Sequence, residues 1–468
     1  MRLRRNLGAA ALVVTLAGST TTAQAVPVAV EAPAPTIQSS DAGLSLIGRE
    51  VHPASGGVLV VAEADLGLTS VVFVADADPT VSSDVTLLGP VAAQGERMVG
   101  IDAAGDPAVE AGVAPDPLTP IVRLFRMPES PGAPFTETGV AALPEQIRTQ
   151  VRRFGTSIAI GGNAIAVVSE TTARSDRIDI FRLSPAGTAE WFQELLPQTL
   201  DTKVAISTSG ATIVTSGVSR LAASGELIIN RIGPDGWVPT QRFLRIGGGP
   251  VEMDGDRIFV QRNGFFARSS GSWTLVQSIP GRPFEVVGEL PVEGNAIAVS
   301  SGLILVGDAE NNMAYLLEET SRGFRFSQSV LPARTGAGSD SPLFGSAVTI
   351  LPGPRLVIGA PGPGAESPAG QIHERTVTDG PVGCTVVGTD GPDQIMTPES
   401  VGIQTVCGLG GDDSLVGTNG SDVLLGGAGD DQLRASARGG TLDGGRGLDD
   451  CQQAGPAIAA AIIINCEE

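Results

Sequence analysis

Asp413, Asp422, Asp431 and Asp449 are separated by nine or eighteen residues, and Gly408, Gly417, Gly426 and Gly444 stand five positions ahead of them. The fullest copy, Gly426-Gly427-Ala428-Gly429-Asp430-Asp431-Gln432-Leu433, fits the nonapeptide G-G-x-G-x-D-x-U-x at every defined position, U being a large apolar residue. Carboxylates repeated in this way suit a hard cation such as Ca²⁺. Such an ion takes about six to eight oxygen ligands, which the carboxylates and carbonyls of two stacked turns can supply. Glycine suits the turn because the chain visits positive φ and its carbonyls must converge where a Cβ would intrude.

The elements that position these residues follow from the period. Each nonapeptide makes one tight turn and one short strand, so two complete a flattened coil and turns on one edge lie eighteen residues apart. Val406, Leu415, Leu424, Leu433, Leu442 and Cys451 form an unbroken inward ladder at nine-residue spacing. One edge carries the turns 408–413, 426–431 and 444–449, each ending in Asp, with Gly408, Gly410, Asp413, Gly426, Ala428, Asp431, Gly444, Arg446 and Asp449 as candidate ligands. The opposite edge offers Gln404, Asp422 and Gly440, with Gly417 and Asp422 as its candidates. About two tightly held Ca²⁺ are expected on the first edge, and weaker or absent sites opposite. A half-match, Gly388-Thr389-Asp390-Gly391-Pro392-Asp393-Gln394-Ile395, would start the roll, and two extra residues before Val406 break its register.

From about Cys384 onward the chain resembles the RTX family of secreted calcium-binding proteins, also called the haemolysin-type calcium-binding repeat. The resemblance implies a parallel β-roll with Ca²⁺ between its turns. Leu409 and Thr418 depart from it by replacing the second glycine, and 435–440 lacks a carboxylate. A flexible Gly/Asp-rich tail is the plainer alternative, but disorder would not preserve the leucine ladder.

The formal charge is -21, and from Pro381 onward thirteen Asp and Glu face three arginines, Arg434, Arg438 and Arg446. So thin a core cannot offset chain entropy plus carboxylate repulsion, so the roll is expected to fold as Ca²⁺ enters. Nucleic acid is not expected as a partner for such a surface. Met1 to Arg5 is basic, Leu7 to Gly18 apolar, and Ala23-Gln24-Ala25 an A-x-A site, which together read as a secretory signal peptide over 1–25. The apolar stretch is short of the roughly twenty residues of a transmembrane anchor, and no later segment qualifies, so membrane insertion is not expected. The run Ile458 to Ile464 reads as a last buried strand of the roll.

Four cysteines allow three pairings. Chain proximity favours Cys384 with Cys407 and Cys451 with Cys466, each short loop contributing about 3 kcal/mol. Free buried thiols are the alternative; a zinc site lacks any C-x₂-C pair.

The larger part, 41–378, is read as a separate all-β domain, preceded by a disordered leader (26–40) and followed by a linker (374–383) and the roll (384–468). Short apolar runs such as Val58–Ala62, Ala164–Val168, Arg257–Val260 and Leu303–Val306 are bounded by Gly, Pro, Asn or Asp turns. Phe154-Gly155-Thr156-Ser157-Ile158-Ala159 and Phe344-Gly345-Ser346-Ala347-Val348 open the same phrase, and the second strand ends in Gly359-Ala360-Pro361. These resemble FG-GAP repeats of integrin α-chain-type propellers, which implies an extracellular binding scaffold. Degenerate copies near 46, 91, 198, 247 and 286 predict about seven blades at a period of roughly 40–50 residues, with six or eight as alternatives. Two β-sandwich domains are the rival architecture, against which the recurring phrase argues.

Catalytic residues are scarce. With only His52 and His373 no H-E-x-x-H helix can be written, and no G-x-S-x-G elbow occurs. Both histidines, and the lone Tyr315, read as surface or packing residues, as do Trp191, Trp237, Trp273 and the pair Phe265 and Phe266. Asp254 and Asp256 read as a hairpin turn rather than a metal loop. The sequence therefore predicts a secreted, non-enzymatic binding or adhesion scaffold. Its partners would be Ca²⁺ and an extracellular polysaccharide or protein ligand, and a glycan-directed hydrolase using propeller carboxylates is the alternative.

Overall fold

The computed structural model describes residues 27–31, 37–38 and 44–467, apart from 56, 65–67, 76–77, 105–118, 130–132, 185–186, 221–223, 263–270, 279–281, 321–322, 331–342, 354, 362–369, 380–383, 389–390, 398–402, 419–420 and 457. The signal peptide and the pair Phe265 and Phe266 lie outside them.

Seven antiparallel sheets of four or five strands follow one another, spanning 44–87, 91–142, 151–195, 199–244, 248–294, 296–330 and 347–379. The first strand of each touches the first strand of the next, and the seventh touches the first, so the ring closes around a central axis as a seven-bladed propeller. Middle strands lie between neighbouring blades and are buried on both faces. Thr212–Ser219, for instance, is buried along its whole length. Outer strands such as Ala189–Leu195 are largely half-buried. The core consists of inter-blade clusters, one joining Ala164, Ile178 and Ile180 of the third blade to Val204, Ile206, Ile213 and Trp237 of the fourth. Each fully buried Ile contributes about 1.5–3 kcal/mol.

The Phe-Gly phrase has a physical basis here. Phe344 is fully buried against His373, with ring centroids 4.9 Å apart. Gly345 has φ +91, and a Cβ on it would strike the Met313 carbonyl of the sixth blade. Blade starts expected near 46, 91, 198 and 247 fall at first strands, but the one near 286 falls in the fifth blade's outer strand, Phe284–Gly294. The sixth blade begins at Ala296 instead. Among the described residues helix is confined to Glu145–Arg148.

Two segments differ from the sequence reading. Within the expected disordered leader, Pro27–Glu31 and Ile37–Gln38 both pair with Gln371–Asp379, so Pro27–Glu31 becomes the outer strand of the seventh blade. The same pairing extends strand through 374–379, which had read as linker. The backbone edge that the last blade would otherwise leave open is satisfied by this pairing.

The roll follows as two parallel sheets. One holds Val386–Val387, Thr405–Gly410, Val423–Ala428, Thr441–Arg446 and Ile462–Ile464; the other holds Gln394–Met396, Ser414–Val416, Gln432–Ala435 and Asp450–Gln453. Val406, Leu415, Leu424, Leu433 and Leu442 are buried between them, and Cys451 is half-buried. Val386 stands opposite Val406, and Ile395 opposite Leu415, at an offset of twenty residues; Val406 stands opposite Leu424 at eighteen. The insertion before Val406 is thus absorbed at the first coil. That coil docks on the outer strand of the sixth blade, Gly323–Val330, and one apolar cluster runs from Phe326 and Leu317 into Val386, Ile395 and the ladder. At the far end Ile462–Ile464 closes the sheet, but it is exposed rather than buried, Ile462 to 61 %, because among the described residues no further layer covers it.

Candidate metal-binding edge of the roll

Asp413, Asp431 and Asp449 stack on one edge, each buried at the end of its turn. The Oδ1 atoms form a relay. Asp413 accepts the Asp393 N–H at 2.8 Å, Asp431 that of Asp413 at 2.8 Å, and Asp449 that of Asp431 at 2.9 Å. The Oδ2 atoms of all three are shut off from water and have no hydrogen-bond partner. A carboxylate oxygen so placed costs on the order of 1–3 kcal/mol or more unless something positive meets it.

Each orphaned oxygen points into a space that glycine keeps open. A Cβ on Gly426 would collide with Asp431 Oδ2 and with the carbonyl oxygen of Gly444 on the next coil. The same relation joins Gly408 to Asp413 and the Gly426 carbonyl, and Gly444 to Asp449 and the Asn465 carbonyl. Anionic and carbonyl oxygens therefore converge at repeated points, a donor set made only of oxygen, and the residues present fit Ca²⁺. The other expected ligands sit alongside. Gly410, Ala428 and Arg446 are in register, and the Ala428 and Arg446 carbonyls accept the N–H groups of Gly411 and Gly429 at 2.8 Å each.

Burial pushes the Asp413 carboxyl up to about 8, with the nearby carboxylates of Asp393, Asp431 and Asp412 adding to the rise. Asp431 is raised for the same reasons, burial first and then Asp449, Asp412 and Asp430.

The opposite edge is different. Asp422 is also buried, but its Oδ1 accepts the Gln404 N–H at 2.8 Å and its Oδ2 the Thr397 hydroxyl at 3.0 Å. Gly417 and Asp422 thus come together without an unsatisfied oxygen. Outside the main edge, Asp412 Oδ1 accepts the Asp430 N–H and Asp430 Oδ1 the Leu448 N–H, a second relay at 2.9 Å. Asp393, Asp412, Asp413 and Asp430 line a polar cavity of about 330 Å³. The sequence reading missed Asp412 and Asp430 as edge residues, although their position next to each motif Asp was a usable signal.

Both expected disulfides are present, Cys384–Cys407 and Cys451–Cys466, with Cα separations of 6.0 and 5.9 Å, and there are no free cysteines among the described residues. In the propeller, His373 is buried, and desolvation followed by Arg375 lowers it to about 4. His52 instead lies on the first blade's inner strand, Leu44–Ala54, beside a channel chamber of about 300 Å³ shared with Glu50, Glu252, Trp273 and Asn295. Glu252 is exposed toward the chamber, and desolvation raises its carboxyl to about 7, with His52 lowering it and Asp254 raising it. Asp254 and Asp256 flank Gly255 in a hairpin turn, with Asp254 paired to Arg257. Among the described residues no helix is long and apolar enough to cross a membrane.

Comparison with known proteins bears on both parts. The hydrazine synthase of Kuenenia stuttgartiensis is similar at 12% identity and TM-score 0.45, over 75% of this chain and 99% of its own. Sqt1 from Chaetomium thermophilum is similar at 13% identity and TM-score 0.42, over 73% and 91%. At these identities and scores the likenesses carry no argument about function. No curated protein matches. Residues 408–437, which include Asp413, Asp422 and Asp431, match the RTX calcium-binding nonapeptide repeat, so this part of the roll is a segment of RTX calcium-binding repeats.

Proposed function

We propose that this is a secreted calcium-binding protein in which Ca²⁺ occupies the Asp413–Asp431–Asp449 edge and completes the folding of the roll, while the propeller serves as an extracellular binding or adhesion scaffold. The observation that carries the reading is the row of three buried Oδ2 atoms without partners, each facing a glycine-lined gap and a carbonyl of the next coil. Ca²⁺ supplies the positive charge these oxygens lack; the chain's own residues set the spacing and exclude water. The A-x-A site at Ala23-Gln24-Ala25 and the two disulfides support export to an oxidising exterior. The Phe-Gly phrases support kinship with FG-GAP propellers, which implies an extracellular binding scaffold, and the ligand we assign to it is an extracellular polysaccharide or protein.

Hydrogen exchange on the full chain tests the calcium reading: backbone protection across 405–453 is expected in Ca²⁺ and lost in EGTA. Equal protection in both would overturn it. A hydrolase reading rests on one observation, the raised Glu252 in the chamber with Glu50 and His52. A glycan panel that shows turnover abolished by Glu252→Gln would favour it over the scaffold; no turnover by either form would remove it.

A further inference from the structure

The nonapeptide pattern ends at Asp449, but the oxygen-lined edge continues. Beyond the last full turn the chain leaves the period: Ile462–Ile464 pairs with Thr441–Arg446, Leu442 standing opposite Ile463, an offset of twenty-one residues instead of eighteen. It then makes a short turn, Asn465-Cys466-Glu467, where earlier coils spend the six residues from Gly to Asp. This turn still reproduces the ligating elements of the edge. The Asn465 carbonyl occupies the place of the Gly426 and Gly444 carbonyls, since it and Asp449 Oδ2 are the atoms that a Cβ on Gly444 would strike. Glu467 takes the part of the next aspartate: its Oε2 accepts the Asp449 N–H at 2.6 Å, one step further along the relay. Asp449 itself is 2 % exposed, and its Oδ2 has no partner.

What holds this turn is not apolar burial, because Ile462, Ile463 and Ile464 are exposed. Asn465 is at φ +49, a left-handed conformation that Asn tolerates, and its Nδ2 donates to Asp443 Oδ1 at 2.8 Å. The covalent hold is Cys466 itself, the middle residue of the turn, bonded to Cys451 in the strand Asp450–Gln453. Cross-linking restricts the conformations open to the free turn, and ligands fixed beforehand bind an ion more tightly than ligands it must gather.

We propose that Asn465-Cys466-Glu467 and the Gly444–Asp449 turn together form a terminal Ca²⁺ site outside the nonapeptide motif, which the Cys451–Cys466 cross-link preorganises. The proposal rests on the calcium reading of the roll. It assigns to this disulfide a part in ion binding, beyond its part in closing the fold.

Native mass spectrometry of the full chain in Ca²⁺-containing ammonium acetate counts the ions held by the wild type, by Cys451→Ser/Cys466→Ser, by Glu467→Gln and by Gly444→Ala. The double variant and Gly444→Ala are expected to hold one ion fewer than wild type, with hydrogen-exchange protection retained over 405–435. Glu467→Gln is expected to hold the last ion at lower occupancy. Unchanged ion counts in the double variant and in Gly444→Ala would overturn the terminal site while leaving the rest of the edge intact. Loss of every ion together with protection across the roll would show that the cross-link acts on folding as a whole, and would also overturn it. A wild type that holds no Ca²⁺ would remove the calcium reading itself.

Discussion

Asp179 in the third blade and Asp431 in the roll are the same residue buried to nearly the same degree, 0 % and 1 % exposed, yet their surroundings are opposite in charge. Asp179 accepts two hydrogen bonds from the Arg177 guanidinium, at 3.0 and 2.6 Å, and one from the Trp191 indole at 3.0 Å. Burial still raises its carboxyl, and these bonds pull it back. Asp431 accepts one backbone N–H and is otherwise surrounded by Asp449, Asp412 and Asp430. The propeller carries the countercharge within the chain; the roll leaves it to an ion from solution. One part should therefore hold its shape whatever the medium, and the other should respond to it.

Removing calcium tests the contrast most severely. At a hundredfold excess over Kd each occupied site stabilises by about 2.7 kcal/mol, so several sites together outweigh any single substitution in the propeller. Urea unfolding in Ca²⁺ is expected to show a separate transition for the roll that disappears in EGTA, with the propeller transition unmoved; one shared transition in both media would break the comparison. Next in size is Asp179→Ala, which leaves buried Arg177 paired with the more exposed Glu194 in place of its buried carboxylate and should destabilise the propeller by about 3 kcal/mol, equally with and without Ca²⁺. Asp431→Asn should behave in the opposite way, weakening the roll in Ca²⁺ and changing nothing in EGTA, as read by hydrogen-exchange protection over 405–453.

Protonation gives a third measure. His373 is neutral when folded because its pKa falls from the ordinary 6.5 to about 4, so between those values the folded propeller binds fewer protons than the unfolded chain. Its contribution, about 3 kcal/mol, is fully present above pH 6.5 and is lost as the pH falls toward 4. Melting curves across that window should show the loss, and His373→Leu should flatten it. The smallest effect is expected from Asp422→Asn, about 1 kcal/mol from a weakened contact with Thr397 or Gln404 and no change in ion count. A lost ion in that variant would mean that the opposite edge also binds.

The roll was largely legible in the sequence because its period, its core and its chemistry coincide. Val406, Leu415, Leu424, Leu433 and Leu442 recur at the spacing of the motif Asp residues, so one pattern sets strand, register and site together. Asn465 and Glu467 were not legible, because a turn outside the repeat has no spacing to betray it. Nor was the gathering of Glu50, His52 and Glu252, which come from the first and fifth blades and meet only when the ring closes. Apolar composition made Ile462–Ile464 read as interior, whereas burial depends on a covering layer that the end of a stack lacks. Pro27–Glu31 read as unstructured since its partner strand lies at the other end of the propeller.

That distant partner imposes an order on biosynthesis. Pro27 pairs with Asp379, so a chain emerging from the ribosome cannot seal its circle until nearly every blade has been made. Contacts so far apart along the chain form late, and until they do the seventh blade presents an unpaired rim able to recruit a neighbouring molecule. Crowded nascent chains should be most prone to swap this strand during that interval.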